Sequence, residues 1–124
     1  MIYLDAHVVV WLYAGLTAKF SPEIKTLLNT HDVLISPIVR LELQYLHEIG
    51  RVAVDCETIT ADLAQKIGLA VCAKPFNEVV TRATKLFWTR DPFDRIIVAH
   101  ASLDENLLLS KDQTILDNYA FTKW

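Results

Sequence analysis

The chain has 124 residues, 52% of them hydrophobic and 22% charged, with a formal net charge of -3. That length and apolar share describe one domain able to bury its own core, and they exclude a disordered chain. The mildly acidic balance argues against a general polyanion binder, though not against a nucleic-acid enzyme whose clustered carboxylates hold metal ions.

Ile2-Tyr3-Leu4 is apolar and runs straight into Asp5, which predicts a buried strand ending in a carboxylate. Ala6 to Ala14 then predicts a short helix closed by Gly15, with Asp5 as its natural cap. Ser21-Pro22-Glu23 combines a cap, a proline at the first helical position and an acid in the first turn. Ile24, Leu27 and Leu28 supply the apolar side of that helix. Asp32 to Ser36 predicts a second buried strand, and Ser36-Pro37 opens a helix that runs to about Ile49 and stops at Gly50. Its expected apolar stripe is Ile38, Leu41, Tyr45, Leu46 and Ile49, and Glu42 falls on it. Either Glu42 stands at the stripe's margin with its carboxylate snorkelling outward, or it faces a partner.

Arg51 to Thr58 is ambiguous, a short irregular strand leading to a cap at Thr60. Ala61 to Cys72 predicts a helix with Leu63, Ile67 and Val71 along one side. Phe76 to Leu86 predicts another, entered through Lys74-Pro75, with Val79, Val80 and Ala83 facing in, and Phe87-Trp88 reads as packing. Asp91-Pro92 starts the next helix, which runs to about Leu103. Asp94 shares the i, i+3, i+4, i+7 spacing with Ile97, Val98 and Ala101, so a carboxylate sits on a core-facing stripe. An unpaired buried charge is destabilising by several kcal/mol or takes up a proton, so Asp94 calls for a partner, a proton or a metal. Asn106 to Ser110 predicts a third buried strand, ended by Lys111-Asp112; Gln113 to Asn118 makes a short helical turn, and Ala120 to Trp124 a last edge strand.

Continuous apolar strands alternating with helices mean a parallel sheet covered on both faces, an α/β fold. Sites in such sheets form at the carboxyl ends of the strands, where Asp5 and Asp112 lie, while Glu42 and Asp94 face inward from helices. Together these acids would converge on one pocket, and carboxylates that share a pocket need a cation between them. Oxygen-only ligands suit Mg²⁺ or Mn²⁺, and such ions are suited to phosphodiester hydrolysis by an activated water. Arg40, Arg90, Arg95 and Lys111 flank the acids, either as contacts to an RNA backbone or as a solvated rim with local ion pairs.

Other chemistries find little support. The glycines, at 15, 50 and 68, form no phosphate loop, and no serine sits in a nucleophile elbow. His7 and His100 are expected to be structural. Cys56 and Cys72 lie in no metal-ligand spacing and read as reduced thiols of a cytoplasmic protein. Asp5 interrupts the N-terminus too early for a secretory signal, and the longest apolar stretch, Val8 to Leu16, is far below the roughly 20 residues that span a membrane.

Leu4-Asp5-Ala6-His7-Val8-Val9-Val10-Trp11, Ser36-Pro37-Ile38-Val39-Arg40-Leu41-Glu42-Leu43, Arg90-Asp91-Pro92-Phe93-Asp94-Arg95-Ile96-Ile97-Val98-Ala99-His100-Ala101 and Leu109-Ser110-Lys111-Asp112 occur in this order. This arrangement resembles the PIN domain, and within it the VapC-type toxins of toxin–antitoxin pairs. The resemblance covers nearly the whole chain, and Asp91-Pro92-Phe93-Asp94-Arg95 is its most specific part. It implies a single domain over residues 1–124, a three-layer α/β/α sandwich with a mainly parallel central sheet. It also implies a Mg²⁺- or Mn²⁺-dependent endoribonuclease whose catalytic and metal-holding acids are Asp5, Glu42, Asp94 and Asp112. Asp91 belongs to the same segment, but its place before proline suits an N-cap. Ala6 stands where the family often has Ser or Thr; Ser110 matches the small hydroxyl residue favoured before the last acid. It joins Arg40, Arg95 and Lys111 as the expected substrate side. The implied partners are RNA, a small antitoxin and a second copy of the chain. A PIN-fold RNA-processing nuclease that is not a toxin, or a non-catalytic partner-binding module, stays open beside this reading.

Overall fold

The computed structural model describes Met1–Trp124. The three apolar runs become the centre of one sheet, and two shorter strands extend it: β1 (Ile2–Leu4), β2 (Val33–Ile35), β3 (Ala70–Val71), β4 (Leu107–Leu109) and β5 (Thr122–Lys123). Their order is β3-β2-β1-β4-β5, and every pairing is parallel. The connecting segments form α1 (Ala6–Tyr13), α2 (Pro22–Thr30), α3 (Pro37–Glu48), α4 (Cys56–Ile67), α5 (Phe76–Ala83), α6 (Pro92–Ser102) and α7 (Gln113–Asn118).

The sheet is written in the sequence because strands buried on both faces have no polar side. Ile2, Tyr3, Leu4, Leu108 and Leu109 are all fully buried. The helix starts are equally legible. Asp5, Ser21, Ser36, Asp91 and Asp112 each accept a backbone N–H of the first turn, and Pro22, Pro37 and Pro92 fill first-turn positions that need no hydrogen bond.

Strand order explains where a site must form. The chain steps from β1 to β2 to β3 in one direction, then crosses back to β4 and β5 on the other side of β1. Right-handed crossovers in opposite directions place their helices on opposite faces, which makes the α/β/α sandwich. The reversal leaves a crevice between the carboxyl ends of β1 and β4, the topological switch point.

Several expectations need correction. The helix expected over Ala61 to Cys72 starts earlier, at Cys56, with Asp55 as cap: its Oδ1 accepts from Thr58 N at 2.9 Å. Thr60 lies inside it and turns its hydroxyl back to Cys56 O. The same helix ends earlier, at Gly68 with φ of 71°, so Leu69 turns into the core and Ala70–Val71 become β3. Ile67 and Val71, expected inside, are exposed, as is Val80 on α5. In α3 the buried side is Val39, Leu43 and Leu46, whereas Leu41, Tyr45 and Ile49 face solvent. Both registers are apolar, so periodicity alone could not choose; α3 chooses by packing on α1, α4 and α6.

Gly68 carries the helix end through a left-handed backbone. Gly68→Ala meets no neighbouring atom, so its penalty is conformational, about 1–2 kcal/mol, read as a lower urea midpoint with an unchanged slope.

Both thiols are free, and Cys72 is buried with its Sγ 3.0 Å from the Tyr3 hydroxyl. No helix is long and apolar enough to cross a membrane.

Candidate active site

Asp5 follows β1 directly, and its carboxylate turns into the switch-point crevice. Register fixes its surroundings: Leu4 pairs with Leu109, so the next residues of the two strands, Asp5 and Ser110, stand side by side. Ser110 Oγ donates to Asp5 Oδ2 at 2.7 Å, and Ala6 N donates to Oδ1 at 2.8 Å. Both carboxylate oxygens are thereby held. Ser110 Oγ also accepts from Asp112 N at 3.1 Å, which ties the turn after β4 to the same group. Asp5 is only 6% exposed. Burial raises its pKa above the usual carboxylate value, against the Ser110 and Ala6 hydrogen bonds and the nearby His7, which favour the charged form; Asp112 adds a smaller upward push.

Asp5, Glu42, Asp91, Asp94, Lys111 and Asp112 line one pocket of about 320 Å³, with His7 and Trp11 on its rim. Glu42 enters from α3, at the edge of the Val39–Leu43–Leu46 side. One of its oxygens, Oε1, is buried without a hydrogen-bond partner. Burial, then Asp5, Asp94 and Asp91, pushes the Glu42 carboxyl up to about 8. Asp94 enters from the first turn of α6. Burial, then Asp91, Asp5 and Asp112, pushes it up to about 7. Asp91 accepts from Phe93 N at 2.9 Å and Asp94 N at 3.4 Å, so it caps α6 as expected and also adds negative charge to the pocket. Asp112 caps α7 through Oδ1, which accepts from Ile115 N at 3.0 Å.

This is a pocket that repels its own charge. Its acids come from three helix starts and one helix interior, and no three of them are drawn together in a geometry that would hold a metal ion as they stand. Like charges in a half-buried site separate or take up protons. The donor set is oxygen only and it includes an orphaned buried oxygen, so the residues present fit a hard divalent cation such as Mg²⁺ or Mn²⁺.

The expected substrate side is divided. Lys111 lines the pocket. Ser110 is fully buried behind Asp5 and orients that carboxylate, so it does not face a substrate. Arg40 turns away to an ion pair with Glu57 of α4. Arg95 donates to Ala83 O at 3.1 Å and Thr84 O at 3.3 Å, which anchors α6 to the end of α5. His100 is fully buried and ties α6 to the end of β2, its Nδ1 2.8 Å from Ser36 Oγ, and burial lowers its pKa. His7, expected to be structural, is instead exposed at the pocket's rim, with its ring centroid 6.2 Å from that of Trp11. Position was the only available signal: His7 and Trp11 sit one turn apart on the helix that Asp5 caps.

Ser110→Ala is expected to weaken Mn²⁺ binding by about tenfold or more, because it frees one Asp5 oxygen from its orienting donor; calorimetric titration checks this.

A family model for the PIN domain matches residues 2–121. Among solved structures, the fold is similar to a chain of VapBC2 from Rickettsia felis bound to a promoter DNA fragment, with TM-score 0.70, 18% identity, and 100% of this chain and 99% of that one covered. It is also similar to a chain of a toxin–antitoxin complex from Klebsiella pneumoniae, with TM-score 0.67, 14% identity and coverage of 100% and 97%. A chain of VapBC-1 from nontypeable Haemophilus influenzae follows at TM-score 0.54, 18% identity and 94% of each chain. Comparison with curated proteins returns no match. The family model spans nearly all of the sequence, including every acid of the pocket: the chain belongs to the PIN domain family.

Proposed function

We propose that this protein is a divalent-metal-dependent endoribonuclease and the toxin of a toxin–antitoxin pair. The observation that carries the proposal is the crowding of Asp5, Glu42, Asp94 and Asp112, with Asp91 beside them, into one half-buried pocket at the switch point. Burial and mutual repulsion there raise two of the carboxyls to about 7 and about 8. A fold does not retain so costly a cluster for stability, and perturbed carboxyls in a cleft mark a functional site.

Asp5, Glu42 and Asp94 would hold the principal cation, and Asp112 would complete a second site or position the water. When bound, Mg²⁺ or Mn²⁺ lowers the pKa of an attacking water and neutralises charge on the phosphate. The chain's own residues do the rest. Ser110 and the Ala6 N–H hold Asp5 in one orientation. Glu42 and Asp94 give up their protons as they become ligands, so metal binding tightens as pH rises through the range of about 7 to 8. Lys111 lines the same pocket and would meet a phosphate oxygen there. Hydrolysis by water leaves a 5′-phosphate and a 3′-hydroxyl.

The test is direct. Purified protein with Mn²⁺ or Mg²⁺ should cut single-stranded RNA internally, stop when EDTA is added, and leave those ends. No cleavage of any RNA, together with no binding of either ion at millimolar concentration, would point to a non-catalytic module instead.

One of the similar structures is a toxin–antitoxin complex and two are VapBC structures, which supports the toxin role. The proposed partners are a small antitoxin, RNA and a second copy of this chain, in the cytoplasm. Growth arrest on expression, relieved by co-expression of a short neighbouring reading frame, distinguishes a toxin from a PIN-fold nuclease of RNA processing.

A further inference from the structure

A second cleft, of about 530 Å³, opens beside the acid pocket and shares Glu42 and Asp91 with it. Its other walls are of a different kind. Tyr45 from α3 and Phe93 from α6 stand with ring centroids 6.3 Å apart and planes inclined by 27°, and Arg90 closes one end. Tyr45 is 49% exposed although it is a large aromatic residue on a helix whose other side is buried. Arg90 is exposed and makes only one long hydrogen bond, Nη1 to Phe87 O at 3.4 Å, so most of its donors are free.

Each wall matches one part of a nucleotide. An exposed aromatic ring offers stacking to any base, and a guanidinium offers a fork to phosphate oxygens. The cleft's volume is within the range of small-ligand sites. A base in a duplex is stacked on its neighbours and cannot reach such a wall; an unpaired one can. Arg90 is the one cationic side chain of the cleft, and the cleft is continuous with the acid pocket through Glu42 and Asp91, which ties its occupant to the same substrate.

We propose that the Tyr45–Phe93–Arg90 cleft is a stacking subsite for one unpaired base of single-stranded RNA, next to the phosphate that the acid pocket takes. The proposal rests on the ribonuclease reading above, and it adds the residues that choose an unpaired nucleotide and set its register. Tyr45 and Phe93 would touch the base directly, at a distance from the reacting phosphate.

The experiment is steady-state cleavage of a labelled single-stranded oligoribonucleotide with Mn²⁺ by the wild type, Tyr45→Ala and Tyr45→Phe, with the oligomeric state of each measured alongside. Tyr45→Ala should raise KM by about tenfold or more, the loss expected when one base loses its stacking partner. Its kcat should stay within about twofold, and Tyr45→Phe should keep the wild-type KM, because the ring and not the hydroxyl stacks. An unchanged KM in Tyr45→Ala overturns the subsite. So does conversion of a dimer into a monomer by Tyr45→Ala, which would make this face a contact between subunits. A wild type that cuts no RNA refutes the ribonuclease reading, and fluorescence anisotropy of the same uncut oligonucleotide with Mn²⁺ then decides the subsite. A Kd about tenfold weaker in Tyr45→Ala than in wild type supports it, and an equal Kd or no RNA binding overturns it.

Discussion

Asp94→Asn is expected to lower RNA cleavage by about a thousandfold or more while leaving the fold intact. The substitution changes almost no volume and removes one negative charge from the acid pocket. A metal centre provides several kcal/mol of transition-state stabilisation, and about 4 kcal/mol corresponds to that factor in rate. The fold should tolerate the change for a local reason: the α6 start is held by Asp91, which accepts the Phe93 and Asp94 backbone N–H groups whatever the side chain at 94. The measurement is the initial rate with Mn²⁺, paired with circular dichroism and a thermal midpoint. A rate close to wild type would remove Asp94 from the catalytic set; loss of the native spectrum would move it to the structural one.

The second large effect concerns stability and has the opposite sign to ordinary expectation for a pocket residue. Glu42→Gln should stabilise the metal-free protein at pH 8.5 by about 1–3 kcal/mol and have little effect at pH 4, the magnitude discounted for the solvent-facing part of the side chain. The sign follows from linkage. The folded carboxyl at 42 titrates at about 8, above its ordinary value of 4.5. Between those values the folded chain keeps a proton that the unfolded chain releases, so stability is full below about 4.5 and falls as pH rises through about 8. Glutamine has no proton to lose and escapes the fall. Urea denaturation in EDTA at the two pH values measures it. With millimolar Mn²⁺ the order should reverse, because the wild type gains a ligand that the variant binds poorly. Equal stabilities at pH 8.5 without metal would mean that Glu42 is not held against its charge.

The parts of this molecule that could be read from the sequence are those where one local pattern admits one answer. Ile2-Tyr3-Leu4 and Leu107-Leu108-Leu109 have no polar face, so they had to be central strands. Asp94 interrupts an apolar helix side and so was legible as a candidate; Glu42 was singled out in the same way, although most of the stripe it was read on faces solvent. Reading failed where two patterns were equally good. Ile38, Leu41, Tyr45 and Ile49 form as apolar a stripe as Val39, Leu43 and Leu46, and only the neighbouring helices decide between them. Val71 continues the Leu63–Ile67 spacing past Gly68, which hid β3. The basic residues failed for a third reason. Nothing near Arg40 or Arg95 in sequence shows that Glu57 or the Ala83 and Thr84 carbonyls will claim them. Asp91 was legible as a cap, yet its contribution to the charge of the pocket needed the fold.

The bond between Ser110 and Asp5 joins residues 105 positions apart. During synthesis the first of them leaves the ribosome long before the second, and helices α1 to α6 can form in between from contacts closer in sequence. Yet until β4 pairs with β1, Asp5 has only the local Ala6 N–H and lacks the Ser110 hydroxyl, and that pairing closes a loop of about a hundred residues, which favours slow formation. The acid pocket is therefore finished only when the centre of the sheet is: the strand that brings Leu108 and Leu109 into the core also brings Ser110 and Asp112 to the site.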